Sequence, residues 1–124
     1  PDHVVDVMLH YPKTVNCDAN RVAQLLSNLL GNAIAHGASD APIKVETAVS
    51  QDAFELKVSN GGAKIPEAAM QNLFKPFYTE STDPKKSGLG LGLYIASEIA
   101  KAHKGNLQAT SSNKQTSFIF TMPL

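Results

Sequence analysis

Seven apolar residues between positions 22 and 34 constrain this chain more than any other feature. Val22, Leu25, Leu26, Leu29, Leu30, Ala33 and Ile34 recur at spacings of three, one, three and one. That period belongs to an amphipathic helix with one apolar face. Asp18 reads as its N-cap, and Gly37 ends the run. A helix of this kind gains its stability by laying the apolar face on something else. The chain therefore has to supply a second apolar surface.

Strands supply it. Residues 3–9 are apolar and β-branched and read as a short first strand. Residues 43–49 alternate, with Ile43, Val45, Thr47 and Val49 on one side and Lys44 and Glu46 on the other. Residues 54–58 do the same, with Phe54, Leu56 and Val58 against Glu55 and Lys57. The four residues between these two strands suit a hairpin. Pro66 and Glu67 open a short helix through Leu73. A second long helix sets Leu91, Ile95, Ile99 and Ala102 in register, with Gly105 as its stop. Strands at about 106–111 and 116–122 close the chain, joined by Ser112, Asn113 and Lys114. The order β-α-β-β-(short α)-loop-α-β-β predicts an α+β fold. It is a two-layer sandwich, with a mixed, mostly antiparallel sheet and helices on one face. It is not a doubly wound parallel sheet.

Composition narrows the function. The 124 residues make one domain. Eleven Lys and Arg balance eleven Asp and Glu, which argues against a general nucleic-acid binder. The single cysteine, Cys17, excludes an internal disulfide framework and any zinc site that needs two thiolates. No apolar run reaches the length of about eighteen residues that a membrane span needs. The chain opens Pro1-Asp2-His3, in mid-pattern, and is expected to be a domain excised from a longer protein.

Several groups of residues carry chemistry. Asn28, Asn32 and His36 fall at i, i+4 and i+8 of the first long helix, along the border of its apolar face. Asn is a mediocre helix former, and a carboxamide oxygen suits Mg²⁺ beside phosphate and water. In Ser87-Gly-Leu-Gly-Leu-Gly-Leu-Tyr94, three alternate glycines strip side chains from a backbone that runs into a helix. A phosphate chain can approach amides there. The run is neither a P-loop nor a good dinucleotide fingerprint. Asn60-Gly-Gly-Ala-Lys-Ile-Pro66 leaves a strand end, and its Asn offers both donor and acceptor to a base edge. Each stretch taken singly also fits a plain role: a polar helix edge, a glycine turn before a helix, a β-to-α connection. Phe74 and Phe77 taken singly read as core aromatics, and Lys85 and Lys86 as a solvated pair on the polar, turn-rich loop 78–88. His3, His10 and His103 read as structural or exposed, and no transition-metal site is indicated.

Order along the chain changes the weight of these signals. LLSNLLGNAIAHG, NGGAKIP, LFKPFY and GLGLGL resemble, in sequence order, the N, G1, F and G2 boxes of the ATP-binding catalytic domain of sensor histidine kinases. That domain shares a superfamily with DNA gyrase B, the MutL mismatch-repair protein and the large ATP-driven chaperone. The resemblance covers nearly the whole chain and implies the Bergerat-type ATP-binding fold. It implies ATP and Mg²⁺ as ligands. Asn32 would be the metal ligand, with Asn28 lining the same site and His36 beside the nucleotide. Asn60 would accept from the adenine amino group, with Gly62 beside it, Ile65 packed on the base and Phe77 near the site. Residues 78–87 would form the ATP lid, with Lys85 and Lys86 reaching the phosphates. Gly88, Leu89, Gly90, Leu91 and Gly92 would pass the lid over them.

Three departures stand out. Asn60 replaces the usual Asp, and a neutral acceptor makes a weaker bond. NGGAKIP is similar to the form in phytochrome-like sensor kinases. Lys64 occupies the second G1 glycine position, and Ala35 stands where many relatives carry a phosphate-touching Lys.

Hydrolases of the superfamily place a general-base Glu at the position of Asn28. An Asn there disfavours ATP hydrolysis as the main activity. The resemblance implies a protein histidine kinase whose accepting histidine lies in a separate dimerisation domain, absent from this chain, with a response regulator as indirect partner. The fragment is expected to be monomeric and cytoplasmic, within a parent that is either soluble or membrane-anchored. Two alternatives stay open. One is a degenerate nucleotide-binding or interaction module without phosphotransfer. The other is a protein serine kinase of the anti-sigma-factor type.

Overall fold

Asp18 starts the first long helix in the way its side chain allows. Its Oδ1 accepts the Arg21 N–H at 3.2 Å, and its carbonyl accepts the Val22 N–H at 2.9 Å. The computed structural model describes residues 5–8, 18–36, 42–62, 64–77 and 91–124. In chain order the elements are β1 (Val5–Met8), α1 (Ala19–His36), β2 (Ile43–Val49), β3 (Ala53–Asn60), α2 (Glu67–Met70), α3 (Gly92–Ala102), β4 (Asn106–Ser111) and β5 (Thr116–Pro123).

Among the described residues five strands form one sheet in the order β1-β2-β3-β5-β4. β1 pairs parallel with β2, and every other pair is antiparallel. The two hairpins expected from the alternating runs are present, and a crossover through α1 joins β1 to β2. The α+β sandwich with a mostly antiparallel sheet is the observed architecture.

Register decides what the sheet offers the helices. Val45 pairs with Val58, which pairs with Phe118, which pairs with Ala109. Thr47 pairs with Leu56, then Phe120, then Leu107. These rows face α1 and α3 and form the core with Leu25, Leu29, Ala33, Ile99 and Leu73. Phe54 and Phe120 meet edge to face, with centroids 6.3 Å apart.

Several local expectations shift. Ile34 is 44% exposed although it belongs to the apolar periodicity. It lies about 180° around α1 from Leu25, so the face that covers the sheet ends before it. On α3 the buried positions are Ala96, Ile99 and Ala100, with Leu93 and Ile95 packed at the core's margin, and Ala102 is exposed. α3 packs on both α1 and the sheet, so its small residues are enclosed while its last turn is not.

The stop of α3 differs too. Lys104 takes the left-handed conformation, φ 61°, and completes the C-cap with Gly105 N–H donating to the Ala100 carbonyl at 2.9 Å. Gly105 is needed for another reason. A Cβ there would lie 1.9 Å from the Thr121 carbonyl oxygen of β5. α2 ends at Met70 rather than Leu73, followed by turns. The first hairpin loop has three residues, with Ser50 N–H donating to the Ala53 carbonyl.

Candidate functional site

The apolar rows of the sheet end in a polar one. Asn60 on β3 pairs with Thr116 on β5, and Thr116 pairs with Ser111 on β4. Side chains alternate along a strand, so Asn60 shares the face of Val58, Leu56 and Phe54. The row Asn60–Thr116–Ser111 therefore continues the helix-facing side of the core by one layer. Asn60 is 6% exposed and Thr116 5%. Buried polar groups need partners. The Asn60 Nδ2 donates to the Gly61 carbonyl at 2.7 Å, and Ser111 Oγ and Thr116 Oγ1 are 2.7 Å apart. The sequence suggested a loop from Asn60 onward. The structure draws Asn60 into β3, which is what buries it.

The loop leaving this row is tied back to it. Gly62 has φ 128°, a conformation that side chains resist, so the turn after Asn60 requires glycine there. Three residues later the Ile65 N–H donates to Ser111 Oγ at 2.9 Å. Ile65 packs, half-buried, against the core, and Lys64 is exposed. Asn60, Gly62 and Ile65 thus gather at one end of the sheet.

A second group joins α1 to the start of α3. The Asn28 Nδ2 donates to the Gly92 carbonyl at 3.2 Å. Gly92 is the last glycine of the GLGLGL run and the first residue of α3. Leu91, at the N-cap, has no side-chain acceptor for the first-turn amides. Asn32 sits one turn beyond Asn28 and is half-buried, at the border of the helix as its spacing implied. Ala35 is half-buried as well. His36 is the last residue of α1.

Phe74 meets Phe118 edge to face at 6.3 Å and packs at the core margin, the place of an ordinary core aromatic. Phe77 does not. It is 72% exposed, with φ 65°. Lys85, Lys86, Gly88, Leu89 and Gly90, and the expected lid 78–87, lie outside the described residues.

Two residues of this site were missed in the sequence. Thr116 and Ser111 sit in strands that read as plain β structure. The available signal was register, since a hydroxyl at the first position of the last strand faces Asn60 only if that strand pairs with β3. Among the described residues no group of three or more His, Cys, Asp or Glu is placed to hold a metal. A hard cation here would depend on carboxamide, phosphate and water oxygens, which suits Mg²⁺. Also among the described residues, no helix is long and apolar enough to cross a membrane.

Comparison with known proteins identifies the group to which this arrangement belongs. The model of the histidine kinase-, DNA gyrase B- and HSP90-like ATPase family matches residues 17–124. The chain belongs to that family. Sensor histidine kinases are among the proteins it is similar to. The chain is 34% identical over its whole length to the bacteriophytochrome of Pseudomonas aeruginosa, and spans 17% of that protein. It is 36% identical over 86% of its length to the sensor protein VanSC of Enterococcus gallinarum, and spans 30% of that protein. The sensor histidine kinase TrcS of Mycobacterium tuberculosis is 37% identical over 91% of the chain, which spans 23% of TrcS.

The fold agrees. The catalytic domain of the histidine kinase ThkA superposes with a TM-score of 0.83 at 27% identity, covering 98% of this chain and 78% of that one. AdeS of Acinetobacter baumannii superposes with a TM-score of 0.81 at 27% identity, covering 98% of this chain and 54% of that one. This histidine kinase-like ATPase family member is thus an ATP-binding catalytic domain of the sensor-kinase type.

Proposed function

We propose that this domain binds Mg²⁺-ATP and presents the γ-phosphate to a histidine on a separate dimerisation domain of a longer two-component sensor kinase. The hydrogen bond between Asn28 and the Gly92 carbonyl carries the reading. It joins the Asn stripe of α1, which suits a hard cation, to the helix start that suits phosphate. Asn32 would hold Mg²⁺ through its side-chain oxygen, which needs only one protein ligand because this ion keeps several waters. Magnesium, when bound, neutralises charge on the phosphates.

Asn60, Gly62 and Ile65 would receive the adenine, with Thr116 beside Asn60. Gly88, Leu89, Gly90, Leu91 and Gly92 would line the phosphates, with Lys85, Lys86, His36 and Phe77 around them. Asn28 cannot take a proton from water, so this site positions and neutralises rather than hydrolyses. The accepting imidazole comes from outside the 124 residues, and a response regulator receives the phosphoryl group afterwards. The match to a bacteriophytochrome and the NGGAKIP form support a phytochrome-like subfamily. The domain alone is monomeric and acts in the cytoplasm.

Calorimetric titration with ATP and ADP, with and without Mg²⁺, tests this reading beside Asn32→Ala. Magnesium-dependent binding that the substitution abolishes is the expected result. No binding at millimolar nucleotide would instead favour a degenerate module, with Asn60 and Ala35 as the residues responsible.

A further inference from the structure

We draw no further inference here: the strongest candidate, the exposed surface patch along α1 that carries Ala23, Ser27, Gly31 and Ile34 without a charged side chain, is an unpartnered helix face, and nothing in the structure shows what covers it.

Discussion

The Asn28 side-chain amide donates to the Gly92 carbonyl, 64 residues away in sequence and 3.2 Å away in space. A carbonyl can only accept, so the NH₂ faces Gly92 and the Asn28 oxygen turns the other way. One bond thus orients a polar residue of α1 and pins the first residue of α3.

Removing that bond should loosen the link between the two helices. For Asn28→Ala we expect a loss of about 0.5–1.5 kcal/mol in urea unfolding, the net worth of one such bond. We also expect nucleotide affinity to fall by about three- to tenfold, read by calorimetry. Affinity at the wild-type value would show that the bond plays no part in binding.

Asn60 is buried and holds the Gly61 carbonyl. Asn60→Ala leaves that carbonyl without this donor and removes the acceptor proposed for the base. The expected cost is about 1–3 kcal/mol of stability, with ADP binding weakened by more than about tenfold. Chemical denaturation and titration of the same sample separate the two effects. Unweakened ADP binding in a folded protein would remove Asn60 from the site.

His103 ties the end of α3 to the start of α1. Its Nδ1–H donates to the Ile99 carbonyl at 2.9 Å, and its Nε2 accepts the Asp18 N–H at 3.2 Å. The two partners dictate this tautomer, since the carbonyl only accepts and the amide only donates. The ring also meets Phe120 edge to face at 6.4 Å. We expect His103→Ala to cost about 1.5–3 kcal/mol while leaving nucleotide affinity within about twofold. A large change in affinity at unchanged stability would contradict this structural role.

Two glycines should respond oppositely. A Cβ on Gly31 meets nothing within 4 Å, and the residue is exposed in mid-helix. Gly31→Ala is expected to stabilise by about 0.5–1 kcal/mol through helix propensity. A Cβ on Gly105 would strike the Thr121 carbonyl at 1.9 Å. Gly105→Ala is expected to destabilise by about 3 kcal/mol or more, since backbone on both sides has to move. Thermal melts of the two variants should bracket wild type.

Much of the fold is legible because periodicity is local. Ile43, Val45 and Thr47 alternate, and Leu25, Leu29 and Ala33 repeat every fourth residue, so element type follows from near neighbours. The same reasoning misjudges Ile34 and Ala102, because a period shows that an apolar face exists without fixing where the covering surface ends. It also assigns the stop of α3 to Gly105, where Lys104 turns the chain and Gly105 makes room for β5.

The candidate site divides along the same line. The sequence by itself determined the Asn stripe of α1, the glycine run before α3 and the Asn-Gly loop after β3, because each is a spacing within one segment. Tertiary structure alone decided that Asn28 meets Gly92, that Asn60 lies inside a strand, and that Thr116 and Ser111 complete its row. Those relationships depend on strand order and register, which hydrogen bonding between distant segments sets. No local pattern encodes which residue of β5 will stand opposite Asn60. That is settled only when β5 pairs between β3 and β4.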